Sequence, residues 1–226
     1  MNELEDFIIR NPYVPTDDEQ QAIDQLKVDG LIPKKWNSTQ NGILSFKENI
    51  KKHLLDEQNS YCAYCRVEMN EGCECIQRDH IIPKALHPCW IFEPKNLCLT
   101  CYRCNTNKRN LEVLVNPCVS TYPIESNSFK IINPYIDKYS EHISILNDLV
   151  YVGVTDKGRF TINVCKLFRS ELVLYKAKKK IENDNPNTVR TLLLSYLDKK
   201  EMTDDDKNEL ISKLDKIIQK YKNVSR

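Results

Sequence analysis

The sequence predicts an α+β protein, with helical segments at both ends and a cysteine-rich middle of short strands and loops. Three observations carry that reading. Apolar residues recur at three- and four-residue intervals before residue 58 and again after 169. Between them lie short runs rich in β-branched and aromatic residues. Ten cysteines include three Cys-x-x-Cys pairs, Cys62/Cys65, Cys98/Cys101 and Cys101/Cys104, an excess over what this composition gives by chance.

Thr16-Asp17-Asp18-Glu19 has capping-box spacing and precedes Ala22, Ile23 and Leu26, so a helix runs to about Val28 before Gly30 and Pro33 end it. A loop then carries Trp36. Ile43, Phe46, Ile50 and Leu54 line one face of a second helix that leads into Tyr61-Cys62. Phe129 to Asn133, Tyr151 to Val154 and Arg159 to Val164 read as strands, the last two joined as a hairpin across Thr155-Asp156-Lys157-Gly158. Three helices follow: Ser170 to about Ile181, Thr188 to Leu197, and Thr203 to Tyr221 with Thr203 as cap. The expected regions are a helical lead-in (1–58), a cysteine core (59–115), a β-rich extension (116–168) and a helical C-terminal region (169–226). The apolar faces of the terminal helices exceed what a small core covers, so they are expected to pack on it or on a partner protein.

Of 226 residues, 41% are hydrophobic and 29% charged, with five Gly and ten Pro, which excludes a low-complexity or fibrous chain. No stretch reaches the ~18 uninterrupted apolar residues of a membrane span, and the first ten residues are acidic where a signal peptide is basic. The expected location is therefore cytoplasmic, with no membrane partner. A reducing compartment turns the cysteines from disulfides towards metal binding. Net charge is +1, but residues 1–60, 61–165 and 166–226 carry −4, 0 and +5. Contact with nucleic acid would have to rest on local patches. One such patch is residues 76–110, where Arg78, Lys84, Lys95, Arg103, Lys108 and Arg109 face only Asp79 and Glu93.

Two Cys-x-x-Cys knuckles supply four thiolates to a tetrahedral Zn2+, a closed structural site that staples two segments. Cys62 and Cys65 form the first. Spacing alone allows either Cys98/Cys101 or Cys101/Cys104 as the second, and Asn105 and Lys108 favour the later pair, so that Cys62, Cys65, Cys101 and Cys104 are the expected zinc ligands. The 35-residue gap between Cys65 and Cys101 is long for a simple ribbon and points to a functional insertion, which contains Asp79-His80. A carboxylate can ligate a hard cation while the adjacent neutral imidazole takes a proton from water. Asn105, directly after Cys104, adds a neutral oxygen ligand. Such a sparse oxygen site suits Mg2+ or Mn2+.

Taken together, Asp79-His80-Ile81-Ile82-Pro83-Lys84, Asn96-Leu97 and Cys101-x-x-Cys104-Asn105-x-x-Lys108 resemble the zinc-stapled branch of the HNH endonucleases. The resemblance implies a small ββα-metal core in residues 59–115 with a four-cysteine zinc, flanked by helices and a β-hairpin. It implies His80 as general base, Asp79 and Asn105 as ligands of the catalytic metal, Asn96 as the residue orienting the His80 ring, and Lys108 near phosphate. Asn105 stands where other members carry His. Looser matches extend over roughly residues 36–180: Tyr61-Cys62-Ala63-Tyr64-Cys65, Asn133-Pro134-Tyr135-Ile136-Asp137, Glu141-His142, Arg159-Phe160-Thr161-Ile162 and Leu167-Phe168-Arg169. These are similar to HNH effectors of anti-phage defence systems of the Septu and retron-associated type, which implies a defence role alongside a partner ATPase.

The expected function is metal-dependent cleavage of nucleic acid, with DNA the expected substrate and Lys84, Arg103, Lys108 and Arg109 contacting its backbone. The alternatives are a zinc-stabilised nucleic-acid-binding module that does not cut, and an interaction subunit. Cys73, Cys75, Cys89, Cys118 and Cys165 read as small buried hydrophobes or exposed thiols, Tyr61, Tyr64, Trp90 and Phe92 as packing, and His53 as solvated. His87 and His142 have no partner at ligand spacing.

Overall fold

Thr16 opens helix α1 (Asp17–Val28) through a capping box, its hydroxyl accepting from the Glu19 N–H while the Glu19 carboxylate accepts from the Thr16 N–H. This computed structural model describes residues 7–69, 76–197 and 204–224. Gly30, at φ 75°, donates its N–H to Lys27 O and ends the helix. A short 3-10 turn, Pro33–Asn37, carries Trp36 to helix α2 (Asn41–Glu57). The buried face of α2 includes Ile43, Phe46, Ile50 and Leu54, as its spacing predicts. Glu19 is fully buried between the two helices, where Tyr13 Oη (2.6 Å), Ser45 Oγ (2.8 Å) and Asn49 Nδ2 (2.7 Å) also donate to it.

Strand β1 (Ile76–His80) pairs antiparallel with β2 (Leu97–Cys101), with Ile76 opposite Cys101 and His80 opposite Leu97. Helix α3 (Tyr102–Lys108) follows β2 without a linker. The end of α2 is tied to this ladder by the buried Gln58 amide, which accepts from Leu99 N (2.7 Å) and donates to Leu99 O (2.8 Å). Residues 60–69 fold back on themselves by the Tyr61–Glu68 bridge and the Met69 N–H to Ser60 O bond. They join β2 where the Ala63 N–H reaches Leu99 O at 3.0 Å.

Downstream come α4 (Tyr139–His142), a hairpin of β3 (Ile143–Leu146) and β4 (Val150–Gly153), then α5 (Asp156–Val164), α6 (Ser170–Ile181), α7 (Pro186–Leu197) and α8 (Asp204–Val224). The hairpin turns on Asn147 and Asp148, both at positive φ (50° and 58°), the two-residue geometry that matches strand twist. One compact unit comprises residues up to Ile143 together with Gly153–Lys166. The other comprises Ser144–Val152 and the residues from Leu167 onward. In the second unit Leu149 and Val150 of the hairpin share a core with Val173, Ala177 and Ile181 of α6, Val189 and Leu193 of α7, and Leu210, Leu214 and Ile218 of α8. The bidentate Arg190–Asp215 pair ties α7 to α8. No helix among the described residues is long and apolar enough to cross a membrane.

The structure corrects the expected strands. Residues 156–164 are helical, and Thr155-Asp156-Lys157-Gly158 is an N-cap and first turn, with the Thr155 hydroxyl accepting from the Gly158 N–H. Gly158 is required by crowding: a Cβ there would sit 1.8 Å from His142 O. The hairpin lies instead at 143–153. Phe129 to Asn133 is not a strand: the chain bends at Lys130 and Ile131 and pairs through one bridge, Leu114 to Phe129, while the Ile132 N–H goes to the Thr161 hydroxyl (3.0 Å). His53 is not simply solvated: its Nε2 lies 2.7 Å from Asn11 O and its ring packs on Tyr13. The expected Thr203 cap, Cys73 and Cys75 lie outside the described residues.

The clasp at Glu19 yields a stability prediction. Burial alone would raise the pKa of its carboxyl, but bonds from Tyr13, Thr16, Ser45 and Asn49 outweigh that and hold it below the ordinary value. Glu19→Ala is expected to lower stability by about 2–3 kcal/mol in chemical denaturation with an unchanged m-value. Because the folded-state pKa is depressed, the advantage of the parent is complete above the unfolded value of about 4.3 and shrinks as pH falls below it. A constant difference between parent and variant down to strongly acid pH contradicts this account.

Candidate metal centre and adjoining groove

Cys62 and Cys65 on the first knuckle, Cys101 at the end of β2 and Cys104 in α3 bring four sulfurs within 4.8 Å of one another. The Cys65 and Cys101 sulfurs are 3.7 Å apart, and the Cys104 N–H points to Cys101 Sγ at 3.5 Å. Cys98 is not part of the set. It lies one strand position out of phase with β2's cluster-facing end, opposite Asp79, with its thiol towards Tyr64 Oη. Burial pushes the Cys62 thiol up, Cys65 and Cys104 rise chiefly through their hydrogen bonding with Cys101, and Cys101 is held far below its ordinary value by its three neighbours. A divalent cation bound here would take the place of thiol protons. Four closely set, largely buried sulfurs fit zinc.

Beside this centre, β1 delivers Asp79 and His80 into a groove of about 370 Å³ whose walls include Lys84, Asn105, Thr106 and Arg109. Asp79 is 4% exposed and is held from both sides: Tyr64 Oη donates to Oδ2 and Lys108 Nζ to Oδ1, each at 3.1 Å. Burial raises its carboxyl above the usual value, restrained by the Lys108 ammonium and the Tyr64 hydroxyl. His80 is 5% exposed, and its Nε2 lies 3.0 Å from the Ile91 carbonyl. A carbonyl only accepts, so Nε2 carries the proton and Nδ1 keeps its lone pair. Trp36 stands edge-on to the ring, centroids 4.5 Å apart. Burial, reinforced by the Lys84 ammonium, pushes the His80 pKa down to about 3, so the ring is neutral at physiological pH.

The structure gathers Asp79, His80, Asn105, Lys84 and Arg109 around one groove. Two other expected residues stand elsewhere than anticipated. Lys108 is 1% exposed and, besides Asp79, donates to His80 O at 2.7 Å. It therefore sits beneath the groove rather than on a rim that could meet phosphate. The Asn96 amide bonds backbone groups. Its Oδ1 accepts from Ile82 N (2.8 Å), and its Nδ2 donates to Ile82 O and Trp90 O (3.1 Å each), fixing the segment whose Ile91 carbonyl holds His80. Arg103 is exposed on α3 and does not line the groove. His87 meets Glu112 at 2.9 Å and His142 meets Thr155 Oγ1 at 2.8 Å, so both have polar partners outside the groove. The residues missed from sequence are Tyr64, Trp36 and the Ile91 carbonyl. Only Tyr64, placed between two knuckle cysteines, carried a readable signal.

The Asn133-Pro134-Tyr135-Ile136-Asp137 segment straps this arrangement in place. The Tyr135 hydroxyl bonds the carbonyls of Pro94 and Leu97, Asp137 is buried with Lys157 Nζ at 2.9 Å, and the Tyr139 hydroxyl donates to Tyr64 O at 2.7 Å.

No family model matches the chain, and no solved structure matches it. It is similar to a curated protein described as Septu protein PtuB, from Bacillus thuringiensis, at 30% identity over 129 residues. The match covers 57% of this chain and 45% of the relative, so the chain aligns with less than half the length of the curated protein it matches.

Metal analysis of the purified protein is expected to find close to one zinc per chain. Cys104→Ser should lose it, whereas Cys98→Ser should retain it because Cys98 contributes no sulfur to the cluster. Zinc retained in the first variant and lost in the second would return the site to the earlier pair.

Proposed function

We propose that this chain is a metal-dependent endonuclease of the HNH type, acting on DNA as an effector of anti-phage defence, with residues 59–115 as its nuclease core. The observation that carries the reading is His80: a buried, neutral imidazole whose Nε2 proton is committed to the Ile91 carbonyl, which leaves Nδ1 as a proton acceptor, on a groove that Asp79 also lines. Asp79 and Asn105, on the same groove, would hold Mg2+ or Mn2+. The carboxylate has lone pairs beyond the two used by Tyr64 and Lys108, so its donor set fits such an ion. When bound, the cation supplies charge stabilisation at the phosphoryl and leaving oxygens.

The chain's own groups do the rest. Lys84 and Arg109 on the groove wall offer cations to a phosphodiester. His80 takes the proton of the attacking water at Nδ1. Burial above all makes it a weak base, and a bound phosphate would counter the smaller contribution of the Lys84 charge. Lys108 and Tyr64 keep the Asp79 carboxylate from turning. Trp36 and the Ile91 carbonyl fix the imidazole plane. The defence role is supported by the motif resemblance and by the similarity to Septu protein PtuB, and a partner ATPase by the motif resemblance. The four cysteines are assigned to structural zinc.

A purely structural Asp79–Lys108 pair is the competing reading, since a buried ion pair needs no catalysis to explain it. Mutation separates the two. His80→Ala is expected to reduce cleavage of plasmid DNA by about 100- to 10,000-fold while zinc content and folding persist. Asp79→Ala and Asn105→Ala are expected to lose activity that partly returns at high magnesium or manganese. A folded, zinc-loaded His80→Ala protein that cleaves at the parental rate removes the nuclease reading.

A further inference from the structure

Arg66 follows the first knuckle directly and adopts φ 51°, a left-handed conformation that glycine enters freely and an L-residue only at a cost. Its side chain does not reach for solvent. It is 4% exposed, lies 3.9 Å above the Phe7 ring centroid and 5.4 Å from that of Tyr61, and NH1 is 3.5 Å from the Cys62 carbonyl. A guanidinium ordinarily keeps its charge in water, whereas this one is enclosed directly after the first knuckle. Four thiolates around a divalent cation leave two negative charges in excess in a largely buried setting. A buried anion of that kind requires compensation by donors or by a cation.

We propose that Arg66 is the built-in counter-charge of the four-cysteine centre, a positioning residue that holds the zinc-bound sulfurs in their anionic form. The inference rests on the assignment of zinc to Cys62, Cys65, Cys101 and Cys104. The position suits the role: the backbone turn that presents Cys62 and Cys65 also folds Arg66 back over Cys62, and Phe7 and Tyr61 keep water from its faces.

The test is zinc affinity by chelator competition for the full-length parent, Arg66→Lys, Arg66→Gln and Arg66→Gly, with the absorption of the cobalt(II)-loaded proteins as a second readout. Arg66→Gln and Arg66→Gly are expected to bind zinc about 10- to 100-fold more weakly. Their sulfur-to-cobalt charge-transfer bands should move to longer wavelength, because thiolates without a nearby cation give up electrons more easily. Arg66→Lys, which keeps a charge but not the ring stacking, should fall closer to the parent in both measurements. Arg66→Gly relieves the left-handed strain, so tighter or equal zinc binding in that variant means the side chain serves packing and overturns the proposal. Equal losses in the Lys and Gln variants overturn it too. Should Arg66→Gln prove insoluble, the Lys and Gly pair carries the same comparison. A parent chain without zinc refutes the metal centre itself, whereas zinc in the parent with unchanged affinity in Arg66→Gln refutes only the counter-charge.

Discussion

Four sulfurs that must lie within 4.8 Å of each other draw together two segments separated by 35 residues, and the arrangement of the first unit follows from that closure. Cys101 ends β2 and Cys104 sits in the first turn of α3, so the cluster clamps a strand-to-helix junction rather than a loose loop. The knuckle residues then serve two sites at once. Tyr64, between Cys62 and Cys65, reaches Asp79, and Lys108, one helical turn beyond Cys104, reaches the same carboxylate from the other side. The groove thereby inherits its geometry from the cluster, and loosening either knuckle would free one of the two donors that fix Asp79.

Asp79 and His80 are adjacent and equally sheltered, yet burial drives them apart electrostatically, raising the acid and lowering the base. The same desolvation favours the uncharged form of each. What opposes the rise at Asp79 is the fully enclosed Lys108 ammonium, with the Tyr64 hydroxyl and Lys84 acting in the same direction. Lys84 and Arg109 line the groove itself.

Much of this was legible in the sequence because it rests on local chemistry. The Thr16–Glu19 box, the Ile43/Phe46/Ile50/Leu54 stripe and the start and end of α6 are properties of single elements, and each is found where its spacing places it. The segment 156–164 was misread because Thr, Ile and Val suggested a strand, while its buried positions, Gly158, Thr161, Ile162 and then Cys165, recur at helical intervals. Tertiary contact with His142 and Ile132 decided between the two. In the groove, residue types identified Asp79 and His80 as a pair. They could not reveal that Lys108 points inward or that Asn96 acts on backbone rather than on the imidazole, since both depend on long-range placement of carbonyls and carboxylates.

Gln58 has a consequence beyond anchoring a helix. A two-stranded ladder leaves each strand one open flank, and an unpaired row of N–H and C=O groups invites another chain to dock and extend the sheet. At Leu99 the outward N–H and C=O are both engaged by a single amide side chain, with the Ala63 N–H sharing the same carbonyl. One glutamine thus behaves as a third strand one residue long. Losing that seal would turn the strand bearing Cys98 and Cys101 into a template for self-association.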